Sequence, residues 1–208
     1  MSNVLIIKLG SLGDLIQSNG AIKDIKTKFN KSKVFLLTSK NYADLMYGCP
    51  YLDGVLIDKR LPRWNLFYLF KLKKLLESYN ITEVFDLQNS KRTYFYRKYF
   101  LKNSKWSSTE EALNEGQKKS DFDKDGVLER MEIQLKRSGV NTNFTNKIDI
   151  TWMIEDVSRL INQHTNREYI MIFPFCSKKH KEKKWPYYKD LIINLKQYYK
   201  NNYSIIIA

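Results

Sequence analysis

At 208 residues, 43% hydrophobic and 14% aromatic, the chain is long enough to bury a sizeable core, either as one large domain or as one domain plus part of another. Its formal charge of +14 draws anions, whether nucleic acid, phosphorylated sugars or an acidic membrane surface, and does not choose among them. Composition does exclude some classes: Cys49 and Cys176 lie too far apart in sequence to suggest a disulfide framework or a zinc site, and no uncharged apolar run has the length of a membrane span.

Short β-branched runs alternate with longer stretches of helical spacing. Asn3 to Leu9 reads as a buried strand and Leu12 to Phe29 as a helix; Lys33 to Thr38 is a second strand, followed by a short helix from Tyr42 to Tyr47. Gly54 to Asp58 is a third strand before a long basic helix from Trp64 to Tyr79, and Thr82 to Leu87 is a fourth before a helix from Lys91 to Leu101. Such alternation is the signature of a parallel sheet covered by helices on both faces. Asn103 to Asp125 is polar and aperiodic, so a long mobile loop is expected there. A helix from Gly126 to Ser138 and a connector follow. Beyond residues 156–163 the alternation restarts, with a strand in "EYIMIFP", a helix from Trp185 to Lys200 and a strand in "YSIIIA". One strand-helix-strand repeat cannot cover both faces of a sheet, so this part either extends the first sheet or opens a second domain cut short.

The first strand ends in "KLGSLGD", Lys8 to Asp14, where an apolar run stops at two glycines and presents one carboxylate. A glycine-containing strand-to-helix turn lets a ligand approach backbone N–H groups at the positive end of a helix, on the edge where open parallel sheets bind ligands. The spacing Gly10-x-x-Gly13 is neither the dinucleotide fingerprint nor the Walker loop. Ser11-x-x-Asp14 is also a capping box, so the carboxylate has two readings, a helix cap and a reacting group.

Lys8, Ser11, Gly13 and Asp14, in that order, resemble the "K-x-x-S-x-G-D" turn that opens the bacterial lipopolysaccharide heptosyltransferases of glycosyltransferase family 9. "FDLQNSKRT", Phe85 to Thr93, looks like the family's Asp-x-Gln segment. "FPFCSKKHKEKKWP", Phe173 to Pro186, resembles the loop opening its second domain, where hydroxyl residues precede a lysine close to Trp-Pro. The resemblance implies an α/β fold of the GT-B type: a Rossmann-like, acceptor-binding parallel-sheet domain over 1–150 and the incomplete beginning of a nucleotide-sugar-binding domain over 151–208. The implied reaction moves a heptose from ADP-heptose to an inner-core acceptor of the Kdo-lipid A type, with inversion. That step needs a general base, which Asp14 matches, its charge favoured at a helix N-terminus. It also needs a cation for the departing diphosphate, which Lys183 matches, although the run Lys178, Lys179, Lys181, Lys183, Lys184 offers more than one. Gly13, Cys176 and Ser177 fall at donor-binding positions, with Cys176 where the family usually has a hydroxyl. Ser11, Gln88, Lys91 and Arg92, and more weakly Arg60 and Arg63, fall on the acceptor side, where guanidinium groups suit phosphate. No metal or cofactor is expected, since His164 and His180 have no partner at ligand spacing and the ADP-sugar is a substrate.

Pro62 to Tyr79 mixes Trp64, Phe67 and Phe70 with Lys71, Lys73 and Lys74. Such a helix fits an element lying on an anionic inner leaflet and equally a core stripe. The N-terminus lacks the features of a secretory signal, so a cytoplasmic protein is expected, with peripheral contact to the inner face of the cytoplasmic membrane. The expected partners are a nucleotide-sugar and a phosphorylated glycolipid. No nucleic acid is expected, because no RRM, KH, zinc-finger or helix-turn-helix signature is present and the lysines are dispersed. The competing class is a non-catalytic basic module, for nucleic acid or anionic membrane, on the same scaffold, or an inactive piece of an enzyme.

Overall fold

The computed structural model describes residues 2–176, 181–200 and 202–208. They form two compact units, one running to Ile154 and one from Glu155 to Ala208, where the sequence places the division after Ile150.

The first unit runs β1 (Asn3–Ile7), α1 (Leu12–Gln17), α2 (Asn19–Lys28), β2 (Lys33–Ser39), α3 (Lys40–Tyr47), β3 (Gly54–Asp58), α4 (Leu66–Ser78), β4 (Ile81–Asp86) and α5 (Lys91–Tyr99). It continues through β5 (Lys105–Ser107), α6 (Thr109–Ala112), α7 (Lys119–Phe122) and α8 (Val127–Arg137). The five strands make one parallel sheet in the order β3-β2-β1-β4-β5. The unbroken apolar run of β1 is explained by cover on both faces. Val4 and Ile6 pack with Ala21, Ile22 and Ile25 of α2 and Met131 and Leu135 of α8. Leu5 and Ile7 pack with Leu69, Leu72 and Leu76 of α4 and Tyr96 of α5.

The chain winds outward from β1 through β2 and β3, then returns to the other side of β1 with β4 and β5. Neighbouring crossovers therefore leave to opposite faces between β1 and β4, and a crevice opens at the carboxyl ends of those two strands. The elements below meet there.

Two expectations are corrected. The long mobile loop from Asn103 to Asp125 contains β5, α6 and α7, and β5 pairs with β4 through Trp106, which is buried and donates its indole N–H to Leu101 O at 3.0 Å. The single helix expected from Leu12 to Phe29 is two, broken at Ser18, whose hydroxyl donates to Leu15 O at 2.8 Å. The second of them brings Gly20 so close to the backbone of Phe144 that a Cβ there would overlap its carbonyl. That segment is itself fixed, because the buried Asp24 carboxylate accepts the backbone N–H groups of Asn143, Phe144 and Thr145.

The second unit comprises α9 (Ser158–Asn162), β6 (Tyr169–Ile172), α10 (Tyr188–Tyr198) and β7 (Ser204–Ile207). β6 and β7 are parallel and in register from Tyr169 opposite Ser204, and they form a sheet of their own instead of extending the first.

Candidate functional site

The turn after β1 is held from both sides. Lys8 is buried; its backbone N–H donates to Leu37 O and its Nζ to Leu87 O, each at 3.0 Å. Leu9 N–H donates to Gln88 Oε1 at 2.8 Å, which ties this turn to the one after β4. Gly10 has φ +120° and faces the Tyr42 ring, with no room for a Cβ. Gly13, by contrast, has no heavy atom within 4 Å of where a Cβ would stand. Asp14 Oδ2 accepts the backbone N–H of Ser11 at 2.9 Å and its hydroxyl at 3.1 Å. The capping box is therefore formed, and the same carboxylate lines a cleft.

At the end of β4 the buried Asp86 accepts the N–H groups of Gln88 at 3.0 Å and Asn89 at 2.9 Å. Burial pushes its pKa up to about 6, against the pull of hydrogen bonds from Thr93 and those N–H groups and of the Lys8 charge. Burial also lowers the Lys8 pKa, opposed by Asp14 and Asp86. Asn89, at φ +48°, joins three elements: its side-chain Nδ2 donates to Gln134 Oε1 of α8 at 3.1 Å, and its side-chain Oδ1 accepts Thr109 N–H at the start of α6 at 2.7 Å.

Two clefts meet at Asn89 and Thr109. The smaller, about 200 Å³, is lined by Lys8, Asp14, Gln88, Arg130 and Gln134. The larger, about 360 Å³, is lined by Arg63, Asp86, Lys91, Tyr94, Arg97 and Lys119. Arg97 is engaged with Glu110 at 3.2 Å and Glu111 at 2.5 Å, and Lys119 donates to Asn89 O at 3.2 Å. Arg130 pairs with Asp123 at 2.8 Å through one terminal nitrogen, while its Nε is buried with no hydrogen-bond partner among the described residues. One carboxylate at the mouth of the smaller cleft and several cations around both suit an anionic ligand that presents a hydroxyl to Asp14.

Behind the larger cleft lies a buried knot. Asp58, at the end of β3, accepts from Tyr68 and Tyr96 hydroxyls, from Arg60 N–H at 2.6 Å and from Arg92 Nε at 3.1 Å. Arg92 also donates to Leu61 O at 3.0 Å, so it grips the loop that carries Arg60 and Arg63. Burial works against the Arg92 charge, yet Asp58 and Tyr96 hold its pKa above the ordinary arginine value.

The structure thus brings Asp14, with Ser11 bonded to it, together with Gln88 in one cleft and places Arg63 and Lys91 in its neighbour. Arg92 and Arg60 belong to the Asp58 knot and line neither cleft. In the second unit Cys176 is half-buried and Lys183 lies exposed in the 3₁₀ turn Lys181–Lys183. Ser177, with Lys178 and Lys179, lies outside the described residues. Sequence reasoning missed the placement of Asp86, Asn89 and Arg130. Asp86 stood in a quoted segment without a role, and Arg130 gave no signal.

A parallel sheet of this order, with its charged groups gathered at the switch point, is a Rossmann-like arrangement, and the chain has an α/β fold of the GT-B glycosyltransferase type. Over 99% of its length it superposes on a glycosyl transferase family 9 protein from Veillonella parvula (TM-score 0.69, 15% identity, 62% of that chain). It superposes over the same share on the E. coli heptosyltransferase WaaC solved with ADP (TM-score 0.62, 16% identity, 67% of that chain). A third match is E. coli ADP-heptose lps heptosyltransferase II (TM-score 0.67, 14% identity, 63% of that chain). The chain thus spans about two thirds of the length of these structures. No family model matches it, and no curated protein matches it by sequence.

Proposed function

We propose that the chain is the acceptor-binding part and the beginning of the donor-binding part of an inverting glycosyltransferase. It would move a heptose from ADP-heptose to a phosphorylated inner-core glycolipid, in the cytoplasm against the inner face of the membrane. The single observation that carries this reading is the placement of Asp14, Lys8 and Gln88 around one cleft at the switch point of a sheet shared with heptosyltransferases. Asp14 takes the proton of the acceptor hydroxyl as its oxygen bonds to the anomeric carbon; the bond from that carbon to the diphosphate breaks on the opposite face, and ADP leaves with the electron pair. Arg63 and Lys91 hold acceptor phosphate in the larger cleft. Arg92 and Arg60 support that cleft through the Asp58 knot, and Ser11 orients the base. Gly13 leaves the space through which the donor approaches. Lys183, with Cys176 and Ser177, belongs to the diphosphate side, and no metal is required.

The test is ADP release from ADP-heptose in the presence of a Kdo-lipid acceptor, alongside acceptor binding to this chain. Asp14→Asn is expected to bind acceptor normally and to lose turnover by two or more orders of magnitude, roughly the worth of a general base. Equal turnover in the variant removes Asp14 as base. Salt-sensitive binding of random oligonucleotides, with no response to nucleotide-sugar, assigns the scaffold to a basic binding module instead.

A further inference from the structure

Helix α4 carries two apolar arcs. Tyr68, Leu69, Leu72 and Leu76 are buried in the core. Phe67 and Phe70 stand 70% and 59% exposed, and Trp64, in the turn just before the helix, 83%. Phe67, Phe70, Lys71 and Lys74 recur at spacings of three and four and so share one outer face. On that face Lys71 Nζ lies 4.3 Å from the centre of the Phe67 ring and Lys74 Nζ 5.5 Å from that of Phe70. Beside them Ile57, Leu61, Phe67, Leu72 and Leu75 line a mainly apolar hollow of about 280 Å³.

Exposed aromatic side chains gathered this closely mark a contact surface, and the lysines among them decide its partner. A second copy of the chain, meeting face to face, would set Lys71 and Lys74 against their own equivalents and pay for like-charge contact, while Lys73, off this face, pairs with Glu77 at 3.6 Å. An anionic bilayer satisfies both kinds of residue, with rings at the level of the headgroups and ammonium groups on the phosphates. We infer that α4 and the turn at Trp64 form a face that docks on a bilayer containing anionic phospholipid. Arg63, next to Trp64, lines the larger cleft, so docking brings that cleft to the headgroups. That use, though not the docking itself, rests on the glycolipid acceptor proposed above.

The test is co-sedimentation of the whole 208-residue chain with vesicles of phosphatidylcholine alone and with phosphatidylglycerol added, at low and at physiological salt. Binding is expected to the second vesicles, weakening with salt. Phe67→Ser with Phe70→Ser alters only exposed positions, which spares the fold, and is expected to lower partitioning about tenfold or more. Lys71→Gln with Lys74→Gln is expected to lower it about fivefold per lysine at low salt. Lys31→Gln with Lys33→Gln makes the same change of net charge at the exposed amino end of the sheet and is expected to cost less. The inference is overturned if the chain ignores phosphatidylglycerol vesicles, if the Phe67 and Phe70 variant binds them as well as the parent, or if the two lysine variants lose binding equally. A dimer in light scattering that the phenylalanine variant abolishes, with no vesicle binding, assigns the face to a second copy. No sugar substrate is present, so these outcomes leave glycosyl transfer untouched, and loss of turnover elsewhere leaves docking untouched.

Discussion

Replacing Asp58 by asparagine tests what holds the loop that carries Arg60 and Arg63. The carboxylate is fully buried and accepts from Arg60, Tyr68, Arg92 and Tyr96. Asparagine keeps one acceptor oxygen, but the other position becomes an NH₂ donor, and Arg92 Nε on that side is a donor as well. The Arg92 side chain, 18% exposed, then loses its counter-ion. Removing one partner of a buried pair costs about 3–5 kcal/mol, and the partial exposure of Arg92, which admits water, places the figure near 3 kcal/mol. Losing one tyrosine hydrogen bond to a charged acceptor adds about 1.5 kcal/mol.

The assay is urea unfolding followed by circular dichroism. A loss of about 4.5 kcal/mol moves the midpoint down by roughly 2 M, given a slope of about 2 kcal/mol/M for a unit of this size. Adding Arg92→Met to Asp58→Asn removes the uncompensated cation, so the double variant is expected to recover about 1–3 kcal/mol relative to the sum of the two single losses. A midpoint shift below about 0.5 M, or strict additivity in the double variant, refutes the knot as the anchor of that loop.

Asp86 carries a pH signature. Its pKa is about 6 when folded against 3.8 ordinarily, so between those values the folded chain holds the proton that the unfolded chain has released. Stability contributed by this group therefore falls as pH rises through that window and is level above it, by up to about 3 kcal/mol. Urea midpoints of the parent relative to Asp86→Asn should decline across the window and then run parallel; curves parallel throughout contradict the buried placement. The two glycines of the first turn should part company. Gly10→Ala sets a Cβ into the Tyr42 ring at a φ of +120° and should cost about 2 kcal/mol or more. Gly13→Ala, with open space in a helix, should gain up to about 1 kcal/mol in thermal melts, and on the donor path proposed above it should raise the Michaelis constant for the nucleotide-sugar. Equal stability losses at both positions would contradict the geometry of the turn.

Strands buried on both faces were legible because an unbroken apolar run between turn signals is local information: β1 to β4 all lie within the runs read from the sequence, to within a residue at their ends. β5 was not legible. Three residues, Lys-Trp-Ser, carry no period, and what makes them a strand is pairing with Glu83, Val84 and Phe85 and the anchoring of Trp106, both made by chain elsewhere. The break at Ser18 hides for the same reason. Helical periodicity runs through it, whereas the approach of Gly20, just past the break, to Phe144 is a contact across most of the unit.

The same division governs the site. Asp14 and Gln88 stand in short motifs and could be named in advance, whereas Arg130 reaches their cleft only because α8 packs on the face of β1 that carries Val4 and Ile6. For α4 the sequence left two readings because the helix carries two apolar arcs, one buried in the core and one exposed. Leucines at 69, 72 and 76 and phenylalanines at 67 and 70 have equally good helical spacing, so periodicity cannot rank them. The structure does: Leu69, Leu72 and Leu76 pack with Leu5 and Ile7 of the central strand β1, whereas Phe67 and Phe70 stay exposed. A helix packed on one face of a sheet has one arc that the core can cover and one that it cannot. Leu76 is fully buried on the first, and Phe67 and Phe70 beside their lysines occupy the second, so the aromatic stripe is neither wholly core nor wholly surface.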